Sequence, residues 1–287
     1  MRAWSPGLAA ALAVSLAASA QAEPRVWVVT DADSEMLIFG SVHVLPPGIV
    51  WRPFALDDAL RKAEDLWFEL PVDAATERET ARLAATLGVL PTGQSLFAML
   101  APADAAKLSR LAQAYGVDRM TLDRLKPWLA EVALAAALYG KAGANAQHGV
   151  EASVSAAAPA GIRRHALETP AQQLALFDQT PLADQIKSLR ETMDELDDDP
   201  DRFRALIAGW VAGDTAGLER ETLSLRETSP DLFRRLITER NIAWTRALDA
   251  RLKGQGRTVV VVGAGHLVGA GGLPARLRAL GYSVTGP

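Results

Sequence analysis

The alternation of apolar and polar residues divides the chain into three zones. After the first twenty-odd residues come short apolar runs at residues 25–29 (RVWVV), 36–39 (MLIF) and 65–69 (DLWFE), which predict strands. Asp31 and Asp33 between the first two suit a hairpin turn. Residues 54–64 place apolar side chains at helical spacing, so the opening pattern is β-β-α-β. From 74 to about 252 the pattern is mostly helical, with apolar residues three or four apart over 101–115, 127–139, 184–195, 201–211 and 230–252. Gly88, Gly116, Gly140 and Gly213 stand where helix C-caps are expected. One β-like island, residues 162–168 (IRRHALE), interrupts this zone. The run 258–262 (TVVVV) then has the β-branched character of a strand buried on both faces; a short helix at 273–280 and a final strand at 282–284 follow. The expectation is one α/β domain over residues 23–287. Its mixed central sheet is formed by N- and C-terminal segments, with a large helical insertion or subdomain at about 74–252.

The two ends differ in kind. Arg2 and the apolar stretch 7–18 (GLAAALAVSLAA), followed by Ala20-Gln21-Ala22, read as a signal peptide over residues 1–22, cleaved near Ala22/Glu23. The apolar run is short for a bilayer span, and the chain has no cysteine for a lipid anchor or a disulfide. The expected location is periplasmic or secreted, with no stable membrane span after cleavage. Of the 287 residues, 49% are hydrophobic, enough for one sizeable core. A net charge of -4 without a basic block gives no footprint for nucleic acid. The acidic stretch 194–201 (DELDDDPD) lacks the glycine and terminal glutamate of a calcium loop and reads as a solvated loop.

Candidate chemistry gathers around four histidines, His43, His148, His165 and His266. Two share a context: Gly40-Ser-Val-His43 and Gly263-Ala-Gly-His266 each follow an apolar strand. In open α/β sheets, ligand sites form beyond the carboxyl ends of strands, so adjacent strands would bring both imidazoles to one rim. Glu69 and Glu168 also end strands and precede a proline by two residues. Glu168 reads rather as an exposed glutamate that caps a helix; Glu69, in apolar surroundings, needs a charged or hydrogen-bonding partner. Two histidines and a carboxylate match the donors of a Zn, Mn, Co or Fe site. The glycine run 263–272 has the wrong spacing for a dinucleotide fingerprint, and serine-hydrolase, zincin and P-loop motifs are absent from the sequence. His165 falls inside a strand, and His148 in a polar segment before Gly149-Val-Glu151.

With these residues the chain resembles the TraB/GumN family, related to the TIKI metalloproteases and more distantly to erythromycin-esterase-like and ChaN-like proteins. The resemblance rests on Phe39-Gly-Ser-Val-His-Val-Leu-Pro-Pro-Gly48 with Trp51-Arg52, and on Val262-Gly-Ala-Gly-His-Leu-Val-Gly269 with Gly272-Leu273 and Leu280-Gly-Tyr-Ser-Val284. Weaker matches are Leu125-Lys-Pro-Trp128, Gly149-Val-Glu151, Leu167-Glu-Thr169 and Glu239-Arg-Asn-Ile-Ala-Trp244. It implies a site made of His43, His266 and Glu69, and, from the TIKI branch, metal-dependent peptide cleavage with manganese or cobalt. Arg52, Arg240 and Asn241 appear as further site residues. Arg52 reads either as a carboxylate or oxyanion holder or as a surface arginine, Arg240 and Asn241 either as site groups or as braces of the long helix. Glu151 stands where the family is expected to show aspartate, and no role is assigned to it.

The function expected is an exported metal-dependent hydrolase, a metallopeptidase, with a divalent Mn, Co or Zn ion on His43, His266 and Glu69, and Glu69 as ligand or general base. The partner is then a peptide or small-molecule substrate. Two rivals stand beside it: a non-catalytic binder of a peptide, signal or haem-like ligand, and an accessory protein of exopolysaccharide export.

Overall fold

The computed structural model describes residues 23–199 and 201–287; the signal segment read over residues 1–22 lies outside them. Six strands form one mixed sheet: β1 (Val26–Thr30), β2 (Ser34–Ser41), β3 (Asp65–Phe68), β4 (Arg163–Ala166), β5 (Gly256–Gly263) and β6 (Ser283–Thr285), in the order β4-β3-β5-β2-β1-β6. The four strands β4, β3, β5 and β2 run parallel, whereas β1 is antiparallel to both β2 and β6. Strands from both ends of the chain thus meet at the centre, where β5 is inserted between β3 and β2. The β1–β2 hairpin turns on Asp31, whose carboxylate accepts from the Ser34 backbone N–H at 2.9 Å and its hydroxyl at 2.7 Å.

Strand alternation sends side chains to two helical layers. Leu37, Phe39, Leu66, Phe68, Val259 and Val261 pack on one face against helices Phe54–Lys62, Val150–Ala157 and Arg202–Val211. On this face Trp51 stacks on Phe39 at 5.8 Å, and Trp210 donates to the Gly40 carbonyl at 2.9 Å. Met36, Ile38, Val260 and Val262 pack on the other face against helices Arg240–Leu252 and Leu273–Ala279. Both faces are apolar because both are covered, as the valine run of β5 foretold. A third cluster, away from the sheet, joins helices Pro102–Tyr115, Pro127–Lys141 and Leu182–Asp198 through Leu108, Leu134, Leu189 and Met193. Among the described residues no helix is long and apolar enough to cross a membrane.

Several local expectations need correction. Gly140 is not a cap: helix Pro127–Lys141 runs through it and the left-handed residue is Gly143 (φ 77°). The acidic stretch is not simply a loop, because Asp194, Glu195, Asp197 and Asp198 belong to helix Leu182–Asp198, where Lys107 pairs with Asp194 and Arg110 with Asp197. The pattern over 230–252 is a short helix (Pro230–Phe233), a π-helical segment (Arg234–Glu239) and helix Arg240–Leu252. Helices Ala74–Leu87 and Thr215–Thr228 have no fully buried residue, so an apolar stripe in the sequence did not mark them individually.

Candidate functional site

The parallel strands release their chain at the same rim, and each delivers one candidate residue there. Across the sheet the order is Glu168 after β4, Glu69 after β3, His266 after β5 and His43 after β2. The twin Gly-x-x-His strings come from neighbouring strands in parallel register, with Gly40 opposite Val262 and Ser41 opposite Gly263. Gly263 lies at the focus. A Cβ there would stand 3.2 Å from Glu69 Oε1, 3.6 Å from His266 Cδ2 and 3.9 Å from His43 Nε2. The missing side chain therefore leaves a point on which both histidines and the glutamate converge.

Each imidazole is held by its outer nitrogen. His43 Nδ1 lies 2.6 Å from Glu151 Oε1, and Glu151 also accepts from the Ser41 hydroxyl at 2.6 Å. The Glu151 carboxylate raises the pKa of His43 to about 9, against the effect of burial, while 65% of the side chain stays exposed. His266 is sealed, with 5% of its side chain exposed, and packs on the Trp244 ring at 4.4 Å. Its tautomer follows from its neighbours. Asn241 Nδ2 donates to the Gly271 and His266 carbonyls at 2.9 and 3.3 Å, so its Oδ1 faces His266 Nδ1 at 2.7 Å and accepts the hydrogen bond of its N–H. The lone pair is then on Nε2. Desolvation lowers the His266 pKa to about 3, which keeps the ring neutral.

Arg240 fastens the acidic half of the rim, and all five of its N–H groups are used. Nε donates to Glu168 at 2.8 Å; the Nη2 group bonds Glu69 at 2.6 Å and Glu168 at 3.0 Å. Nη1 bonds the Leu236 carbonyl at 3.2 Å and His266 Nε2 at 3.0 Å. Glu69 accepts in addition from the Gly263 backbone N–H at 2.7 Å and from Gln173 Nε2 at 3.2 Å. Burial alone would raise the Glu69 pKa, but the Arg240 charge, with His266, His43 and the Gly263 N–H, outweighs it and holds the carboxyl at about 2. Glu168 also accepts from Trp244 Nε1 at 3.0 Å; the helix that follows is capped by Thr169 instead.

The donor set has the composition of a divalent-metal site. Both Nδ1 atoms are engaged, which is the usual support of metal-ligating histidine; His266 has its lone pair on Nε2, whereas His43, its pKa raised to about 9, carries a proton there that a cation must displace. Glu69 Oε1 would be the third donor, 3.9 Å from His266 Nε2. On the other histidine Arg240 occupies the Nε2 lone pair and must release it before His266 can bind a cation. Accordingly, among the described residues no three such side chains stand with their donors already in coordinating positions.

The other sequence candidates lie elsewhere or behind the rim. Arg52 is engaged by Asp57 and by the Ser153 hydroxyl at 3.2 Å and carbonyl at 3.3 Å, which ties it to the Val150–Ala157 helix rather than to the rim groups. His165 pairs with Asp65 at 2.8 Å and stacks on Trp67, and His148 is exposed on a short 3-10 turn (Ala146–His148). Sequence reasoning gave no role to Glu151 and overlooked Gln173. The signal for Glu151 was the Gly149-Val150 pair before it. Val150 N–H bonds the Val42 carbonyl at 3.1 Å, and a Cβ on Gly149 would meet the His43 carbonyl oxygen at 2.1 Å. Only glycine lets this helix start close enough for Glu151 to reach His43.

The sequence pattern of the TraB/PrgY/gumN family matches residues 25–286, and the chain belongs to that family. It is 24% identical over 260 residues to the protein named "Uncharacterized protein YbaP" of Escherichia coli K12, a match that covers 89% of this chain and 92% of the relative. The protein of the same name from Shigella flexneri matches with the same figures, 24% identity over 260 residues. No solved structure matches the chain.

Proposed function

We propose that this member of the TraB/PrgY/gumN family is an exported metal-dependent hydrolase that cleaves peptide bonds at the rim formed by His43, Glu69 and His266. The observation that carries the reading is their convergence within 4 Å of the Cβ position that Gly263 leaves empty, from three separate strands. His43 and His266 would hold the ion by Nε2, with Nδ1 anchored on Glu151 and Asn241. Glu69 suits a third ligand better than a general base, since its carboxyl is held at about 2 and a base for water needs a value nearer neutrality. A bound divalent ion supplies Lewis-acid polarisation and a more acidic water. The exposed side of His43 sets the direction from which substrate enters, and Trp244 shields the floor. Arg240, once withdrawn from His266, has an N–H free to donate to a substrate oxygen, a role in which a buried guanidinium is effective.

The contact between Arg240 and His266 Nε2 favours a second reading, a pocket that binds a peptide or other ligand without metal and without turnover. Metal content separates the two. Residues 23–287, dialysed against mixed Mn, Co and Zn and then desalted, are expected to retain about one ion per chain. The His43→Ala/His266→Ala double variant is expected to retain none and to have no peptidase activity. Absence of bound metal from both proteins would sink the metallohydrolase and leave the binding reading.

A further inference from the structure

A cavity of about 520 Å³ lies between helices Pro127–Lys141, Leu182–Asp198 and Thr215–Thr228, away from the histidine rim. Its wall combines two kinds of surface. One is apolar and aromatic: Trp128 stacked on Phe177 at 6.0 Å and 22°, with Leu225 and Leu232 beside them. The other consists of hydrogen-bond acceptors. Glu131 accepts from Thr192 at 2.8 Å and Ser188 at 3.1 Å and has no cation partner among the described residues; burial and the nearby Glu191 and Glu195 push its pKa up. Gln185 is 5% exposed; its Nε2 donates to the Thr180 carbonyl at 2.7 Å, which fixes the amide, and its Oε1 accepts from no group among the described residues. The one guanidinium on the wall, Arg202, is already bound by Glu221 and faces Glu195 at 3.8 Å.

A buried acceptor left unpaired costs stability unless a donor reaches it, and a half-buried carboxylate without a cation adds to that cost. The carboxylate is answered by a ligand that brings N–H donors and positive charge. An aromatic wall beside carboxylates is the surface that recognises ammonium groups attached to an apolar body. We propose that this cavity binds an amphiphilic primary amine, its ammonium group on Glu131 and its apolar part against Trp128 and Phe177. None of His43, Glu69, Glu168, Arg240 and His266 lines the cavity, and the proposal holds whether or not the rim is hydrolytic.

The test is calorimetric titration of residues 23–287 with 4-phenylbutylammonium, beside its neutral counterpart 4-phenylbutanol and the apolar-poor cation spermidine. The aromatic amine is expected to bind saturably, at least about tenfold more tightly than the alcohol or spermidine, as expected for a charge-assisted contact. Glu131→Gln, which keeps an acceptor for Thr192 and Ser188, is expected to weaken the amine about tenfold and leave the alcohol unchanged. Ser224→Trp, at an exposed position on the wall, is expected to abolish binding by filling the cavity. His43→Ala should leave all affinities as they are. Equal affinity for amine and alcohol, no saturable binding of the amine, or an unaltered Glu131→Gln protein that melts as the native chain does would each overturn the proposal.

Discussion

At the scale of single residues the rim is governed by one guanidinium. Arg240, 10% exposed, stands between two carboxylates that are 9% and 11% exposed, so none of the three charges is solvated well enough to stand alone. Removing one member of a buried ion cluster costs more than the cluster itself contributes, because the remaining charges are left in a poor medium. Arg240→Met is therefore expected to lower stability by about 3–5 kcal/mol in urea unfolding, and a loss below about 1 kcal/mol would mean that Glu69 and Glu168 find water instead. The same cluster explains what could be read in advance. Glu69 was marked by an apolar context that demanded a partner, but the partner lies 171 residues away, which no local pattern encodes. Asn241 orients His266 from a fully buried position, again through a contact that only folding creates.

At the scale of elements, two glycines nine residues apart have opposite duties. Gly140 lies inside helix Pro127–Lys141 with open space where a Cβ would be, so Gly140→Ala is expected to stabilise the protein by about 0.5–1 kcal/mol through helix propensity. Gly149 has the His43 carbonyl oxygen where its Cβ would go, so Gly149→Ala must push helix Val150–Ala157 away and part Glu151 from His43. That variant is expected to lose about 1–3 kcal/mol by overpacking and, with it, the proposed hydrolase activity. Thermal melts of the two proteins check the pair; equal shifts would show that the close approach is relieved by backbone movement. Gly140 looks like a cap in the sequence because glycines near helix ends usually are caps. The winning term was the continued packing of helix Pro127–Lys141 on helix Leu182–Asp198, through Leu134 among others.

At the scale of the whole molecule, Asp65 joins the sheet edge to a helical layer. Its carboxylate accepts from Arg163 on β4 at 2.7 and 2.9 Å, from Arg251 at 2.8 Å and lies 2.8 Å from His165. The Arg163 hydrogen bonds first, then His165 and the Arg251 charge, hold its pKa below the usual aspartate value despite burial. A carboxyl whose folded pKa is depressed gives stability that is present above its unfolded pKa and lost as pH falls through the folded one. Acid should therefore weaken the native chain progressively below about pH 4. Asp65→Asn is expected to be less stable at neutral pH and to show a flatter dependence of melting temperature between about pH 5 and 2. Parallel curves for the two proteins would show that Asp65 is not a source of the acid sensitivity.

The sequence by itself determined the alternation of elements, the burial of the central strand on both faces, and the two Gly-x-x-His strings at strand ends, because these rest on period, propensity and neighbouring residues. It determined the family resemblance for the same reason, since the strings that carry it are contiguous. Only the tertiary structure decided that β5 enters between β3 and β2, which puts His266 next to Glu69 on one side and His43 on the other. It alone decided that Glu151 holds His43, and that Arg240 closes on Glu69, Glu168 and His266. These are contacts between residues from 26 to 171 positions apart. Their energies come from desolvation and charge in a shared pocket, and that pocket exists only after the two ends of the chain have paired.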